Sequence, residues 1–319
     1  MTEHPDTPED ARTEPPQSGE PVLKAGGQHV SPTIEFNGPA MRNMPKPSDM
    51  GIEVFTGFKI KYPEYSVITP QTLHSFTVKT LTVREEEIMK ASFITPNKLT
   101  EHLNDVLYSC LIKKPDSITS IEDFLSLVTT KDRDAILHGL YHVTYKEKHP
   151  YNVSCPSCST ENSVQVNFEE AFSATMWEDD DNSILDKEVA VQLEIADQVT
   201  VVLKQPTLLD EKNLLENMTF TKDEDRDAQL DLLMVKRFEV NVASSRAPQV
   251  VQERQNILTG YQQLPATDKE LIEEAFMKNF GKFGIELNSS LRCQKCGTVS
   301  EFEIDLLRQF FRVLFERAE

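Results

Sequence analysis

Two Cys-x-x-Cys pairs, Cys155-Pro156-Ser157-Cys158 and Cys293-Gln294-Lys295-Cys296, restrict the folds open to this chain more than any other feature. A structural zinc ion takes four thiolate or imidazole ligands in a tetrahedron. One such pair supplies two of them, because its tight turn sets both sulfurs on one side with backbone N–H groups facing them. Cys155, Cys158, Cys293 and Cys296 together make one complete site. In compact zinc ribbons the pairs stand ~15–20 residues apart. Here everything from Ser159 to Arg292 intervenes, so a subdomain must loop out between the two halves of a split ribbon. Gly297 follows the second pair, where a knuckle turn calls for a positive φ, and Ser159 takes that place in the first.

Three other chemistries share these ligands. A glutaredoxin-type dithiol needs Cys155 at a helix N-terminus, whereas a β-like segment follows it. Iron in a rubredoxin-like four-cysteine site uses the same donors. A dimer could pair knuckles between chains. One intramolecular zinc ion is the reading taken forward. The fifth cysteine, Cys110, lies on a helical apolar stripe and reads as core.

The chain also resembles itself around the cysteines. From Cys155 to Phe172 and from Cys293 to Phe310 the pattern runs without gaps: a cysteine pair, an alternating strand, then an apolar residue at the same offset. Upstream, Thr130-Lys131-Asp132-Arg133-Asp134-Ala135-Ile136 resembles Ala266-Thr267-Asp268-Lys269-Glu270-Leu271-Ile272. Each half therefore reads as a helix opening near an Asp, an extended link, a knuckle and a strand. The repeat predicts two similar β-hairpin knuckles related by a pseudo-twofold.

Around this frame the periodicities give an α+β chain, helix-rich. Residues 1–50 hold nine of the 18 prolines and no apolar periodicity, the composition of a disordered tail. Strands are expected over Ile52–Tyr65, Phe76–Leu81, Val164–Phe172 and, as a pair, Val189–Leu203. Helices are expected from Thr82, from Pro96 to about Leu111, over Ser120–Val128 and Lys131–Tyr141, and from Thr207. Four more are expected over Leu230–Phe238, Val250–Leu258, Thr267–Phe280 and Leu306–Phe315. The domain reading is a tail (1–50), an N-terminal half with the first knuckle (51–173) and a C-terminal half with the second (174–319).

The net charge is −19. A basic stripe is the usual footprint of a phosphate-backbone binder, so the acidity weighs against nucleic acid and anionic membranes. No apolar stretch approaches ~18 residues, the start lacks a secretory signal, and a cytosolic protein is expected. Nothing assembles a catalytic site. His138 and His142 stand four apart on a helix without an H-E-x-x-H arrangement, and His102 and His149 read as ordinary surface or helix-end residues. The acidic runs Glu178–Asp181 and Asp223–Asp225 lack calcium-loop spacing. Gly281 and Gly284 suit a helix end and turn, not a phosphate loop.

The order of elements resembles a known family. Leu-Thr-Val-Arg-Glu-Glu-Glu at 81–87, Asp132-Arg133 opening a helix, the Cys-Pro-x-Cys at 155–158, Gln205-Pro206-Thr207, and Leu-Pro-Ala-Thr-Asp at 264–268 are similar to the baseplate-hub assembly proteins of T-even-type contractile-tailed bacteriophages. Gln294 departs from that pattern, standing where the second pair would carry proline. The resemblance covers roughly 75–315. It implies a non-enzymatic role as hub component or assembly chaperone, in the host cytoplasm during assembly or in the virion baseplate. The implied partners are tail, baseplate or tape-measure proteins, and a homo-oligomer is compatible with it. The competing class is a zinc-ribbon transcription accessory protein, which needs a basic face near the knuckles, where Arg292 and Lys295 stand nearly alone.

Overall fold

The computed structural model describes residues 61–93, 96–145, 149–178, 182–217, 229–242 and 245–316. The expected tail, most of the Ile52–Tyr65 strand and most of both acidic runs lie outside the described residues. The fold is a mixed α+β arrangement in which one order of elements occurs twice.

The first half opens with hairpin β1 (Glu64–Ile68) and β2 (Ser75–Lys79), which β3 (Leu111–Lys113) joins beyond helices α1 (Val83–Phe93) and α2 (Pro96–Ser109). Helices α3 (Ile121–Leu127) and α4 (Thr130–Thr144) follow. Hairpin β4 (His149–Ser154) and β5 (Glu161–Val166) then leads to a short helix, α5 (Phe168–Ala171), and to β6 (Phe172–Thr175). The second half repeats the plan. Hairpin β7 (Glu188–Gln192) and β8 (Val199–Lys204) precedes α6 (Leu208–Asn217), and β9 (Val235–Val240) and β10 (Gln249–Val251) extend that sheet in the order β10-β9-β8-β7. Helices α7 (Arg254–Gln262) and α8 (Ala266–Phe276) come next, then a π turn, hairpin β11 (Gly284–Arg292) and β12 (Val299–Glu303), and α9 (Leu306–Glu316).

Two helix-period expectations are corrected. Leu230–Phe238 contains a 3-10 turn and then β9, a central strand paired on both sides. Its Leu232, Leu233, Met234, Val235 and Phe238 are all buried. A short run that is apolar on both faces carries no periodicity to separate helix from strand. Val250–Leu258 is strand β10 followed by the start of α7. The expected Thr267–Phe280 helix turns π at Met277.

The repeat is written in hydrogen bonds as well as in element order. Asp132 is the third residue of α4, and its carboxylate accepts from the Gln71 N–H (2.8 Å) and the Thr72 hydroxyl (2.8 Å) in the β1–β2 turn. Asp268 is the third residue of α8, and it accepts from the N–H groups of Glu194, Ile195 and Ala196 in the β7–β8 turn (2.9, 3.0 and 2.9 Å). In each half one carboxylate thus ties a hairpin turn to a helix start, where the helix dipole also favours it. A second signature adds a lysine to the helix starts expected at Thr82 and Thr207. Lys79, Thr82 and Glu85 form a lysine–carboxylate pair that caps α1, and Lys204, Thr207 and Asp210 do the same for α6 at the same spacing.

Burial alone would raise the Asp268 carboxyl, but the three N–H groups outweigh it and hold it below the usual range. A carboxyl lowered on folding contributes stability that is present above its unfolded pKa of ~3.9 and is lost as pH falls through the folded value. Asp268→Asn is therefore expected to flatten the acid limb of the stability–pH curve below about pH 4. Unfolding midpoints of both proteins across that range check it, and parallel curves would refute it.

Two cores result, and the first takes residues from both halves of the sequence. The first packs Phe76, Phe124, Leu107 and the α4 residues Ile136 and Leu140 against Phe310, Val313 and Leu314 from α9. The second gathers Val201, Leu203, Phe238, Ile257 and Ile272 with Phe280 and Phe283. Gln71 joins them: its side-chain amide donates to the carbonyls of Phe280 and Phe283. Where α4 crosses β1, a Cβ on Gly139 would lie 2.3 Å from Val67 Cγ2. Gly139→Ala is thus expected to cost about 1–3 kcal/mol despite its better helix propensity, read as a lower urea midpoint. Among the described residues no helix is long and apolar enough to cross a membrane.

Candidate metal centre

The two knuckles are the turns of hairpins β4–β5 and β11–β12, and they match bond for bond. Cys155 N–H donates to the Thr160 carbonyl (2.9 Å) and Ser159 N–H to the Cys155 carbonyl (2.8 Å). In the second copy Cys293 N–H donates to Thr298 and Gly297 N–H to Cys293, both at 2.9 Å. Ser159 and Gly297 carry the positive φ values, 53° and 74°, that the spacing calls for. A glycine meets this requirement without strain, whereas a serine must be held by the turn around it. Thr160 and Thr298 hydroxyls lie 3.3 Å from the sulfurs of Cys158 and Cys296.

The hairpins face one another. The rings of Tyr151 on β4 and Phe302 on β12 stack at 5.7 Å between centroids. All four sulfurs lie within 4.8 Å of each other. Cys155 Sγ is 3.6 Å from Cys296 Sγ, and Cys158 Sγ is 3.6 Å from Cys293 Sγ. Exchanging the hairpins maps one contact onto the other, as a pseudo-twofold requires. The leading cysteine of each pair is buried; Cys158 is half-buried and Cys296 exposed.

Metal–sulfur bonds of ~2.3 Å in a tetrahedron put sulfurs ~3.8 Å apart, so this donor set fits a tetrahedral thiolate-bound metal ion. Backbone N–H groups, that of Cys296 first and then Lys295, hold the Cys293 thiol down to about 6 against the effect of burial. Contacts with Thr298 lower Cys296 as well. Ligand thiols must lose their protons, and fixed N–H dipoles assist that step at Cys293 and Cys296. At Cys155 the Ser157 N–H is outweighed by burial and by the neighbouring sulfurs of Cys296 and Cys158, which push the thiol up to about 11. Cys155 sits in a hairpin turn, not at a helix N-terminus, which removes the geometry of a dithiol redox motif.

One residue of the site escaped the sequence reading. Asn162 on β5 is buried; its amide donates to the Thr160 carbonyl (2.8 Å) and lies 3.8 Å from Cys293 Sγ. Its side-chain oxygen accepts from Gln294 N–H (3.0 Å), so the first hairpin grips the second. The matching residue of the second copy is Ser300, so the internal repeat gave no signal for it.

The other candidates form no site. Among the described residues the four cysteines are the one group of three or more His, Cys, Asp or Glu side chains able to share an ion. His138 is buried against the Phe172 ring (4.5 Å), and burial pushes it down to about 4. His142 reaches Glu169 at 3.3 Å instead. His149 lies edge-on to Tyr141 and Tyr145. Cys110 is fully buried, and burial raises its thiol to about 12.

The family model described as T4 bacteriophage base plate protein matches residues 62–312. The chain belongs to that family. The match begins just before β1 and runs into α9, so it takes in both halves and all four cysteines. No curated protein and no solved structure matches the chain. This is thus a T4-type base plate family protein with an α+β fold and a four-cysteine cluster at near-zinc geometry.

Proposed function

We propose that the protein is a non-enzymatic component or chaperone of baseplate-hub assembly, with Cys155, Cys158, Cys293 and Cys296 holding one structural zinc ion as a split zinc ribbon. The observation that supports the reading is the convergence of two repeated knuckles on four sulfurs within 4.8 Å of one another in a chain of this family. Four cysteine ligands close a zinc coordination sphere, whereas catalytic zinc keeps one position for water. The ion acts here as a clasp between the halves, 51–173 and 174–319, read as copies of one unit. A net charge of −19 favours basic protein partners over nucleic acid. Tail, baseplate or tape-measure proteins of the same phage, met in the host cytoplasm during assembly, are the proposed partners.

Two measurements test this. Metal analysis of the purified chain is expected to give about one zinc per chain; fully folded, metal-free protein would end the clasp. Affinity purification from infected cells is expected to recover tail or baseplate proteins. Recovery of nucleic acid with a steep salt dependence would instead favour the transcription-accessory class.

A further inference from the structure

The repeated helices α4 and α8 each hold a hairpin turn through an aspartate, but a second face of each meets different surroundings. At the register that aligns 130–136 with 266–272, Leu137, Leu140 and Tyr141 of α4 correspond to Glu273, Phe276 and Met277 at the end of α8. On α4 this face is closed: the three side chains are at most 1% exposed. Helices do the closing. α2 and α9 pack against α4, the Phe310 ring of α9 lies 5.8 Å from Tyr145, and the Phe168 ring of α5 lies 4.4 Å from Tyr141. Phe168 and Leu306 are equivalent positions after the two knuckles, and both belong to the first core. The second core contains neither.

On α8 the corresponding face borders an open groove of about 800 Å³. Met277 is 56% exposed, and Leu230, Leu258, Tyr261, Leu264 and Phe276 are half-buried, so their outer surfaces are accessible. Two of the groove's charges pair with each other, Lys269 with Glu273 at 3.7 Å, and the Tyr261 hydroxyl donates to Glu273 (3.1 Å). Apolar surface bordered by satisfied polar groups is the make-up of a protein interface, and a contiguous patch of it marks an interaction site.

We propose that the groove takes one amphipathic helix of a partner protein, laid against α8 as α9 lies against α4. The repeat supplies the template for this occupant. Its seam carries apolar residues at the i, i+3, i+4 spacing with which α9 presents Phe310, Val313 and Leu314, all at most 1% exposed. A second copy of the chain has no such helix to offer, because α2 and α9 already bury their apolar stripes in its own first core. The inference goes beyond the assembly role by giving the form of one partner segment, and it makes no use of the cysteines.

The test is a titration of the metal-loaded full chain with a labelled, end-capped peptide of the sequence Asp305–Glu316, read by anisotropy and by the Met277 methyl NMR resonance. A control peptide carries Arg312→Pro, which breaks the helix and keeps every apolar residue. The helical peptide is expected to move the Met277 resonance and to bind at least about tenfold more tightly than the control. Met277→Glu alters an exposed side chain, so it is expected to leave the thermal midpoint unchanged and to weaken the helical peptide by about tenfold. Because the contrast between peptides is read on the unaltered protein, a folding defect in the variant does not affect it. No binding, equal binding of the two peptides, or binding that leaves Met277 unmoved would overturn the proposal. So would a dimer of the free chain that Met277→Glu dissolves, since the groove would then belong to a second copy. Success or failure here leaves the zinc and affinity-purification results to stand separately.

Discussion

Cys293→Ser is expected to release the metal and lower the thermal midpoint by roughly 8–16 °C. The size follows from loop closure. A cross-link joining chain as far apart as Cys158 and Cys293 removes ~4–5 kcal/mol of conformational freedom from the unfolded state, by analogy with a disulfide across ~100 residues. At ~2–4 °C per kcal/mol for a chain of this size, a loss of about 4 kcal/mol gives that range. Cys293 is buried and Asn162 lies against its sulfur, so serine also disturbs the contact between hairpins. Both cores are built mainly from elements outside the knuckle hairpins, so far-UV circular dichroism should keep most of its amplitude. Matching zinc content and midpoint in wild type and variant would defeat the clasp. A variant that unfolds entirely would show that the hairpins carry more of the fold than two cores imply.

Asp132→Ala is expected to cost about 3 kcal/mol or more, read as a urea midpoint shift at unchanged slope. Asp132 is fully buried and serves two structures at once. Thr129 Oγ1 accepts from its N–H at 3.1 Å to cap α4, and its carboxylate satisfies the β1–β2 turn. Alanine leaves the buried N–H of Gln71 without its acceptor, so desolvation of that donor is no longer offset. Gln71 also holds the carbonyls of Phe280 and Phe283, so slack in the turn reaches the second core. Burial raises the Asp132 carboxyl, the opposite of its counterpart Asp268. A raised carboxyl makes folding less favourable as pH rises from the unfolded to the folded pKa, so the two aspartates should bend the acid limb in opposite senses. A shift below about 0.5 kcal/mol would mean the turn finds other acceptors.

Much of this was legible in the sequence for local reasons. The knuckles follow from spacing alone, and Gly297 and Ser159 fall at the turn position that demands positive φ. The similarity of the segments at 130–136 and 266–272 pointed to the repeat, because capped helix starts leave a short polar signature. What those aspartates hold could not be read, since the turns they satisfy lie some 60 to 75 residues upstream. The β9 strand has the spacing of a helix in the sequence because its buried residues, Val235 and Phe238, stand three apart behind the apolar run Leu232–Met234.

The placement of α9 in the first core has a consequence for synthesis. Phe310, Val313 and Leu314 are essentially fully buried in the first core, beside residues made more than 160 positions earlier. While the chain emerges from the ribosome, that core keeps an open apolar face until α9 has been made. Domains ordinarily fold as units in the order they are translated. Here the first half must wait for the last helix, so a nascent chain halted before Leu306 presents the face that α9 would cover.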